Sequence, residues 1–438
     1  MEGLNLEKLN RRIEDSRLTS KFGYITRVVG LVIESRGPEV SIGELCIIKN
    51  EETDQEIKGE VVGFEDNRVL LMPIGEMEGI NPGARVVATG EKLRIGVSEE
   101  LTGHVLDGLG RPLLGEELKL SYVEEVPVKT SPPNALLRQR ISEPLSLGIR
   151  SIDGLLTCGR GQRIGIFSGS GVGKSTLLGM VARNTEADVN VIALVGERGR
   201  EVRDFIERDL GEEGLERSVV VVATSDKPAL VRVKAAHTAT AVAEFFRDQG
   251  KNVLLMMDSV TRVARALREV GLAAGEPPAT RGYPPSVFAE LPRLLERAGT
   301  NQHGAITALY TVLVEGDDFN EPISDTVRGI LDGHIDLSRE LASRSHYPAV
   351  DVRSSVSRVM DEIVAEDHLE AAGEMKRMIA DYRESEDLIN IGAYEPGSNP
   401  AVDRALDKID EINDFLQQGI HEKAPFSETI AQLKNISR

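Results

Sequence analysis

Residues 162–176 read Gln-Arg-Ile-Gly-Ile-Phe-Ser-Gly-Ser-Gly-Val-Gly-Lys-Ser-Thr, and this stretch decides the fold class. An apolar run of strand type comes first, a glycine-rich turn follows, and the residues after the turn begin a helix. Glycines let the backbone curl so that successive N–H groups point inward and can cradle phosphate oxygens, while the helix N-terminus adds positive charge. The spacing therefore predicts a phosphate-binding loop. Its predicted nucleotide-binding residues are Gly169, Ser170, Gly171, Val172, Gly173, Lys174, Ser175 and Thr176.

Two side chains at the end of this loop have the chemistry that triphosphate binding requires. Lys174 can reach the β- and γ-phosphates, and the Ser175 hydroxyl can ligate Mg²⁺. The strict Walker A pattern begins with a glycine where this chain has Ser168. Because the later glycines and the Lys-Ser pair are intact, we expect the loop to close and to bind ATP with Mg²⁺.

Two further strand ends carry acidic residues that suit nucleotide hydrolysis. Asp258 ends the apolar run 253–257, which is typical of the Walker B carboxylate that holds Mg²⁺. Glu197 and Arg198 follow the apolar run 189–195, and the carboxyl ends of parallel strands line the ligand crevice. Glu197 could polarise an attacking water and Arg198 could orient it, although a surface ion pair would use the same two residue types.

The composition limits the possible partners and location. The chain has 438 residues, with 52 Lys and Arg against 71 Asp and Glu, a net charge of −19 that counts against nucleic acid as a partner. Its two cysteines, Cys46 and Cys158, are too few for a disulfide framework and are expected to be packed thiols in a reducing compartment. Residues 1–20 are charged throughout and no apolar run approaches the length of a membrane span, so we expect a cytoplasmic protein.

The hydrophobic pattern divides the chain into four segments. Residues 1–23 carry Leu6, Leu9 and Ile13 at helical spacing, which indicates either a partner-binding helix or a frayed terminus. Short β-branched runs such as 25–33 predict a small β-barrel over 24–92. Apolar strands alternate with helices, the clearest at 228–249, over 93–362, which predicts an α/β parallel sheet covered on both faces. Residues 363–438 read as a helical domain.

Several longer stretches resemble the catalytic subunits of rotary ATPases and, more closely, the type III protein-export ATPases. They are Ile-Asp-Gly-Leu-Leu-Thr-Cys-Gly-Arg-Gly-Gln at 152–162, Gly-Glu-Pro-Pro at 275–278, Tyr-Pro-Pro-Ser-Val-Phe-Ala-Glu-Leu-Pro-Arg-Leu-Leu-Glu-Arg-Ala-Gly at 283–299, Gly-Asp-Asp at 316–318 and Ile-Leu-Asp-Gly-His-Ile at 330–335. The tail Leu-Ile-Asn-Ile-Gly-Ala-Tyr at 388–394 is similar to the flagellar branch. The tail is shorter than in rotary subunits and lacks their acidic lever segment, so rotation-coupled synthesis is not expected.

The resemblance implies a homohexameric ring with an N-terminal β-barrel, a RecA-like P-loop ATPase core and a C-terminal helical domain. It also implies roles for matched residues. Glu197 matches the carboxylate that activates water, Asp258 matches Walker B, and Arg262 matches an arginine near the nucleotide. Tyr347 matches an aromatic that packs on adenine, and Arg358 matches the finger arginine of the neighbouring subunit. By residue type alone, Tyr347 could equally be a loop anchor, and Arg358 would be a surface arginine.

The function expected from the resemblance is ATP hydrolysis that energises flagellar type III protein export at the cytoplasmic face of the membrane. Expected partners are a stalk-like regulator at the N-terminal helix, a central-stalk-like export protein, export chaperones with their substrates, and the membrane export gate. The alternatives are an injectisome ATPase of a virulence system, a ring-shaped RNA translocase, and a nucleotide-binding regulatory subunit without turnover. The net charge argues against RNA, and Glu197 argues against a subunit without turnover.

Overall fold

The structure is a computed structural model that describes residues 21–50, 55–113, 121–314 and 321–438. Most of the predicted N-terminal helix, residues 1–20, and the motif at 316–318 lie outside the described residues, while Phe22 already belongs to the first strand. The strands are β1 (Phe22–Val29), β2 (Val32–Arg36), β3 (Glu44–Asn50), β4 (Gln55–Glu65), β5 (Arg68–Pro73), β6 (Arg85–Lys92), β7 (Arg94–Val97), β8 (Val105–Asp107), β9 (Glu124–Pro127), β10 (Arg163–Ser168), β11 (Val189–Val195), β12 (Ser218–Ala223), β13 (Asn252–Asp258), β14 (Gly299–Thr300), β15 (Ala305–Leu313), β16 (Gly333–Leu337) and β17 (Val350–Ser357).

The described helices include short and long segments in every part of the chain beyond the barrel. They are α1 (Arg150–Leu155), α2 (Lys174–Asn184), α3 (Gly199–Asp204), α4 (Gly211–Glu216), α5 (Ala229–Asp248), α6 (Val260–Ala273), α7 (Pro285–Leu295), α8 (Pro322–Ile330), α9 (Arg339–Ser343), α10 (Met360–Ile363), α11 (Glu366–Asn390), α12 (Pro400–Leu416) and α13 (Phe426–Ile436). A π-helical segment, Phe205–Leu210, joins α3 to α4. No helix in the described ranges is both long and apolar enough to cross a bilayer.

The N-terminal strands close into a six-stranded barrel in the order β1-β2-β5-β4-β3-β6. Alternate residues of β3 point inward, and side chains such as Ile33, Cys46 and Leu71 fill the interior. The apolar run 25–33 is two strands rather than one, because Gly30 adopts a left-handed φ of 57° and turns the chain between β1 and β2. The predicted small β-barrel is confirmed.

The central sheet has the order β17-β16-β10-β15-β13-β11-β12-β8. All neighbouring pairs in this order are parallel except β16 with β17. Every residue of β11 and β12 is buried, as expected for parallel strands that are covered on both faces, and α5 packs across these strands and β13. The predicted α/β core is therefore confirmed, and its topology brings the carboxyl ends of β10, β13 and β11 to one edge.

The C-terminal helices share one apolar core with this sheet domain. Met375 and Phe415 belong to the same buried cluster as Ile164 and Leu178. A Cβ added to Gly154 of α1 would lie only 2.9 Å from Cζ of Phe415, so this close approach of α1 to α12 requires glycine. The predicted C-terminal helical domain is present, while the exact boundaries at 92, 362 and 363 stay predictions.

Candidate nucleotide-binding and catalytic site

The glycine-rich loop lies between the end of β10 at Ser168 and the start of α2 at Lys174. Gly171 and Gly173 have φ values of 78° and 86°, a region that side chains with a Cβ rarely adopt. Ser168, which replaces the first glycine of the strict pattern, is still the last residue of the strand, and its carbonyl accepts a hydrogen bond from Val314 N at 2.9 Å. The serine does not disturb the backbone of the loop, because the turn begins only after Ser168.

The Lys174 ammonium lies between two acidic side chains that come from neighbouring strand ends. Its Nζ forms an ion pair with Asp258 at the end of β13 and lies 3.9 Å from Oε1 of Glu197, which follows β11. The Thr311 hydroxyl on β15 donates to Oδ1 of Asp258 at 2.7 Å and fixes that carboxylate. The structure thus brings together Lys174, Glu197 and Asp258, which lie far apart in the sequence.

Glu197 is 7% exposed and is held on its other side by Arg262. Nη2 of Arg262 lies 3.0 Å from Oε2 of Glu197, and the same guanidinium donates to the carbonyl of Gly196. Burial raises the pKa of Glu197 to about 7; a hydrogen bond with Glu201 and the charge of Asp258 act in the same direction and outweigh the nearby cations. A carboxylate with a pKa near neutrality is suited to accept a proton from water.

The structure does not bring Arg198 into this cluster. Its side chain is 79% exposed and pairs with Glu201, with Nη1 lying 2.8 Å from Oε1. Sequence reasoning missed Glu201 and Thr311, although an acid four residues after Glu197 on a helix is a signal that could have identified the first of them. Thr311 gave no such signal, because its contact depends on the pairing of β15 with β13.

Tyr347 lies against the loop, and the residue is 43% exposed to solvent. A Cβ added to Gly173 would lie 3.3 Å from both Cδ1 and Cε1 of the ring. The backbone N–H of Gln418 donates to the Tyr347 carbonyl at 2.9 Å and anchors this segment to the C-terminal region. An aromatic face beside the phosphate loop is available to stack on a flat base.

Arg358 lies at the edge of the sheet where the parallel strands begin, opposite the edge where they end and the loop follows. It follows β17, which runs antiparallel to β16, and its backbone N–H donates to the carbonyl of Asp332 at 3.0 Å, beside Arg163 at the start of β10. The six residues of β10 separate that edge from the loop by roughly 17 Å at about 3.3 Å per residue. Arg358 is exposed and does not belong to the Lys174 cluster of its own chain.

The side chains at the loop fit a magnesium nucleotide. The Ser175 hydroxyl is exposed at the start of α2, and Asp258 supplies a carboxylate, so both offer the oxygen ligands that Mg²⁺ prefers. The Ser168 hydroxyl, at the end of β10 just before the loop, is buried without a hydrogen-bond partner among the described residues. No group of three His, Cys, Asp or Glu side chains in the described ranges could hold a metal ion alone, so the predicted ion would rely on Ser175, Asp258 and the phosphates together.

Three family models match the chain. The model of the ATP synthase alpha/beta family nucleotide-binding domain covers residues 148–357, that of the family's beta-barrel domain covers 25–90, and that of the T3SS EscN ATPase C-terminal domain covers 364–435. Together they follow the barrel, the sheet domain and the C-terminal helices described above.

Individual relatives match over almost the whole length. The flagellum-specific ATP synthase of Bacillus subtilis is 58% identical over 97% of both chains, and the type 3 secretion system ATPase of Xanthomonas euvesicatoria is 50% identical over 98% of this chain and 97% of that protein. The assembled ATPase EscN of enteropathogenic E. coli superposes with a TM-score of 0.88 at 48% identity, covering 95% of this chain and 100% of EscN, and EscN with its central stalk EscO gives 0.87. The resemblance inferred from the sequence is confirmed. The chain belongs to the ATP synthase alpha/beta family and, within it, to the flagellum-specific and type 3 secretion system ATPases.

Proposed function

We propose that this ATPase energises flagellar protein export by hydrolysing ATP with Mg²⁺ at sites shared between the subunits of a homohexameric ring. One observation carries the shared-site proposal. Glu197 meets Lys174 and Asp258 at the loop, whereas Arg358 leaves the sheet at the opposite edge of the same chain.

The side chains at the loop divide the work of hydrolysis. Lys174 binds the terminal phosphates once its ammonium is released from Asp258, and the loop N–H groups bind the remaining oxygens. Mg²⁺, when held by Ser175 and Asp258, supplies positive charge that offsets the charge on the phosphates. A carboxylate oxygen of Glu197 accepts the proton of the attacking water, and Arg262 holds the other oxygen so that the accepting one is oriented.

The remaining predicted residues recognise the base and complete the site. Tyr347 offers its exposed ring to adenine from beside Gly173. The exposed Arg198 side chain pairs with Glu201 and contacts the phosphate once it leaves that carboxylate. Arg358 inserts into the site of a neighbouring subunit, where an arginine neutralises charge on the transferring phosphoryl group.

The relatives support the ring and its partners. EscN is described as an assembled ATPase and as a complex with its central stalk, which supports a ring and a central-stalk-like export protein for this chain. We further assign to this protein a stalk-like regulator that binds residues 1–23, export chaperones with their substrates, and a membrane export gate at the cytoplasmic face. Nucleic acid is not among the partners, in keeping with the net charge of −19.

Sequence identity favours the flagellar system over a virulence system: it is 58% with the flagellum-specific relative of Bacillus subtilis and 50% with the type 3 secretion system relative of Xanthomonas euvesicatoria. The test is complementation of a bacterium whose flagellar export ATPase has been deleted. Wild-type protein should restore swimming and filament growth, whereas Glu197→Gln, expressed to the same level, should not. Restored secretion in an injectisome deletion strain without restored swimming in the flagellar strain would assign the protein to the virulence system instead.

A further inference from the structure

The phosphate loop and helix α9 leave the same edge of the sheet side by side. β10 and β16 are parallel neighbours, and Ser168 is paired in register with Leu337, so the residues that follow both strands begin next to each other. α9 starts immediately afterwards at Arg339. The Ser338 hydroxyl caps it by accepting a hydrogen bond from Leu341 N at 3.3 Å, which fixes the direction of the helix.

The first side chain of α9 lies against the loop. A Cβ added to Gly169 would lie 2.6 Å from both Nε and Nη2 of Arg339 and 2.9 Å from its Cζ, so the guanidinium occupies the space that a side chain at position 169 would need. Tyr347, nine residues into the same polypeptide segment as Ser338, lies against Gly173. Residues 339–347 thus contact the loop near its beginning and near its end.

Part of the loop is open to its surroundings. A Cβ added to Gly171, between the two contacts, would meet nothing within 4 Å, whereas the next residue, Val172, is 2% exposed and packs in the core. Glycine also loses more backbone freedom on ordering than any other residue. The guanidinium at Gly169 is therefore well placed to decide where the first half of the loop lies.

α9 and the residue that follows it also form ion pairs with the C-terminal helical domain. Oε1 of Glu340 lies 2.8 Å from Nη1 of Arg383 on α11, and Nη1 of Arg344 lies 2.7 Å from Oε1 of Glu386. Arg383 and Glu386 are themselves paired at 2.8 Å, and Glu340 lies 3.1 Å from Arg344, so the four side chains form a closed cluster of charges.

The apolar side chains do not fill the space between α9 and the C-terminal helices. A cavity of about 260 Å³ lies between α9, β17, α11 and α12, with Leu341, Val352, Ile379 and Ile412 among its lining residues. Ala342 of α9 packs against the core that includes Ile379, and the charge cluster adds a direct polar connection between α9 and α11 beside the cavity.

We infer that Arg339 is a positioning residue for the phosphate loop, and that α9 links the loop to the C-terminal helical domain through the Glu340–Arg383 and Arg344–Glu386 pairs. A displacement of α11 then moves α9, and Arg339 carries that movement to Gly169. This inference rests on the proposed role of the loop, and it adds a route by which a protein bound to the helical domain changes ATP affinity and turnover.

The first test is a double-mutant cycle between Arg339 and Gly169, read out as kcat and KM for ATP. Arg339→Ala should lower kcat/KM about 10- to 100-fold, because a misplacement of about 1 Å can cost about 10²-fold, and the thermal unfolding midpoint should stay unchanged. Gly169→Ala displaces the same guanidinium, so the double variant should be no worse than the worse single variant. If the loss of kcat/KM in the double variant equalled the product of the two single losses, the inference would be overturned.

A control separates this inference from the proposed function of the loop. Lys174→Ala should be inactive in the same assay. If Lys174→Ala turned over ATP normally, the phosphate-loop assignment would fail and the inference with it. If Lys174→Ala is inactive while Arg339→Ala has wild-type kcat and KM, only the positioning role of Arg339 is overturned.

The second test addresses the link to α11. Arg383→Ala removes a cluster member, and Arg377→Ala is its matched control, because Arg377 lies on the same helix and pairs only with Glu374 of α11 among the contacts described. Arg383→Ala should lower kcat/KM about two- to fivefold, the scale expected for coupled neighbours, and Arg377→Ala should not. Arg383→Ala should have no further effect in the Arg339→Ala protein. Equal effects of the two α11 variants, or a full effect of Arg383→Ala without Arg339, would overturn the link.

Discussion

The raised pKa of Glu197 predicts how the hydrolysis rate depends on pH. Glu197 accepts a proton only when ionised, so activity should be lost as the pH falls through its pKa. With a pKa of about 7, about 9% of the carboxylate is ionised at pH 6 and about 91% at pH 8, so kcat/KM should rise about tenfold between them. A glutamate with an ordinary pKa of about 4.3 would change by only about 2% over this range.

The assay is phosphate release at constant ionic strength from pH 5.5 to 8.5, with kcat/KM chosen because it reports the pKa of the free enzyme. Glu201→Gln removes the carboxylate whose hydrogen bond with Glu197 raises the pKa of Glu197, so its profile should shift to lower pH. Glu207→Gln is the matched control, since Glu207 pairs with Arg203 on the exposed surface. A flat wild-type profile, or an equal shift in both variants, would refute the assignment of Glu197 as the base.

Three further experiments test the site and the core. Lys174→Ala should abolish hydrolysis and leave the circular dichroism spectrum unchanged; wild-type turnover would remove the loop assignment. Glu197→Gln and Arg358→Ala should each be nearly inactive; for Arg358→Ala the reason is that a finger arginine contributes about 10³- to 10⁵-fold to the rate. A mixture of the two variants should regain activity at interfaces that combine an intact Glu197 with an intact Arg358. A mixture as inactive as its components would contradict the shared site. Arg297→Ala should lower the free energy of unfolding by about 3–5 kcal/mol in urea titrations, because Arg297 is 1% exposed and its loss leaves the carboxylate of Glu244 buried and unpaired; a change no larger than that of an exposed arginine would contradict this.

The loop and the sheet could be predicted from the sequence because their signals are local. The strand expected before the loop is observed as Arg163–Ser168, and the helix expected at 228–249 is observed as Ala229–Asp248. Continuous apolar runs such as 189–195 belong to buried parallel strands, and this requires no knowledge of their neighbours. The turn at Gly30 was missed because one glycine in an apolar run is compatible with a continuous strand.

The rest of the site depends on contacts between residues that are distant in the sequence. Residue type alone left Glu197 open between a catalytic base and a surface ion pair, and only the meeting of β10, β11 and β13 places it beside Lys174. The ionisation of Glu197 depends mainly on burial, which the sequence does not specify, and also on a hydrogen bond with Glu201, whose spacing from Glu197 is its only sequence signal. The location of Arg358 at the far edge follows from the antiparallel direction of β17, which the strand pattern did not specify.

The ion pair between Lys174 and Asp258 gives the site a means of selecting its substrate. A bare triphosphate that drew the ammonium away would leave the Asp258 carboxylate, buried and held by Thr311, without its counter-charge. An unpaired buried charge is costly, so that exchange is unfavourable. If Asp258 holds Mg²⁺ as proposed, a cation bound to the nucleotide would replace the ammonium at Asp258 and the phosphates would replace the carboxylate at Lys174, so that both charges would stay neutralised. On that assignment, the resting ion pair would favour metal-complexed ATP over the free nucleotide before any chemistry begins.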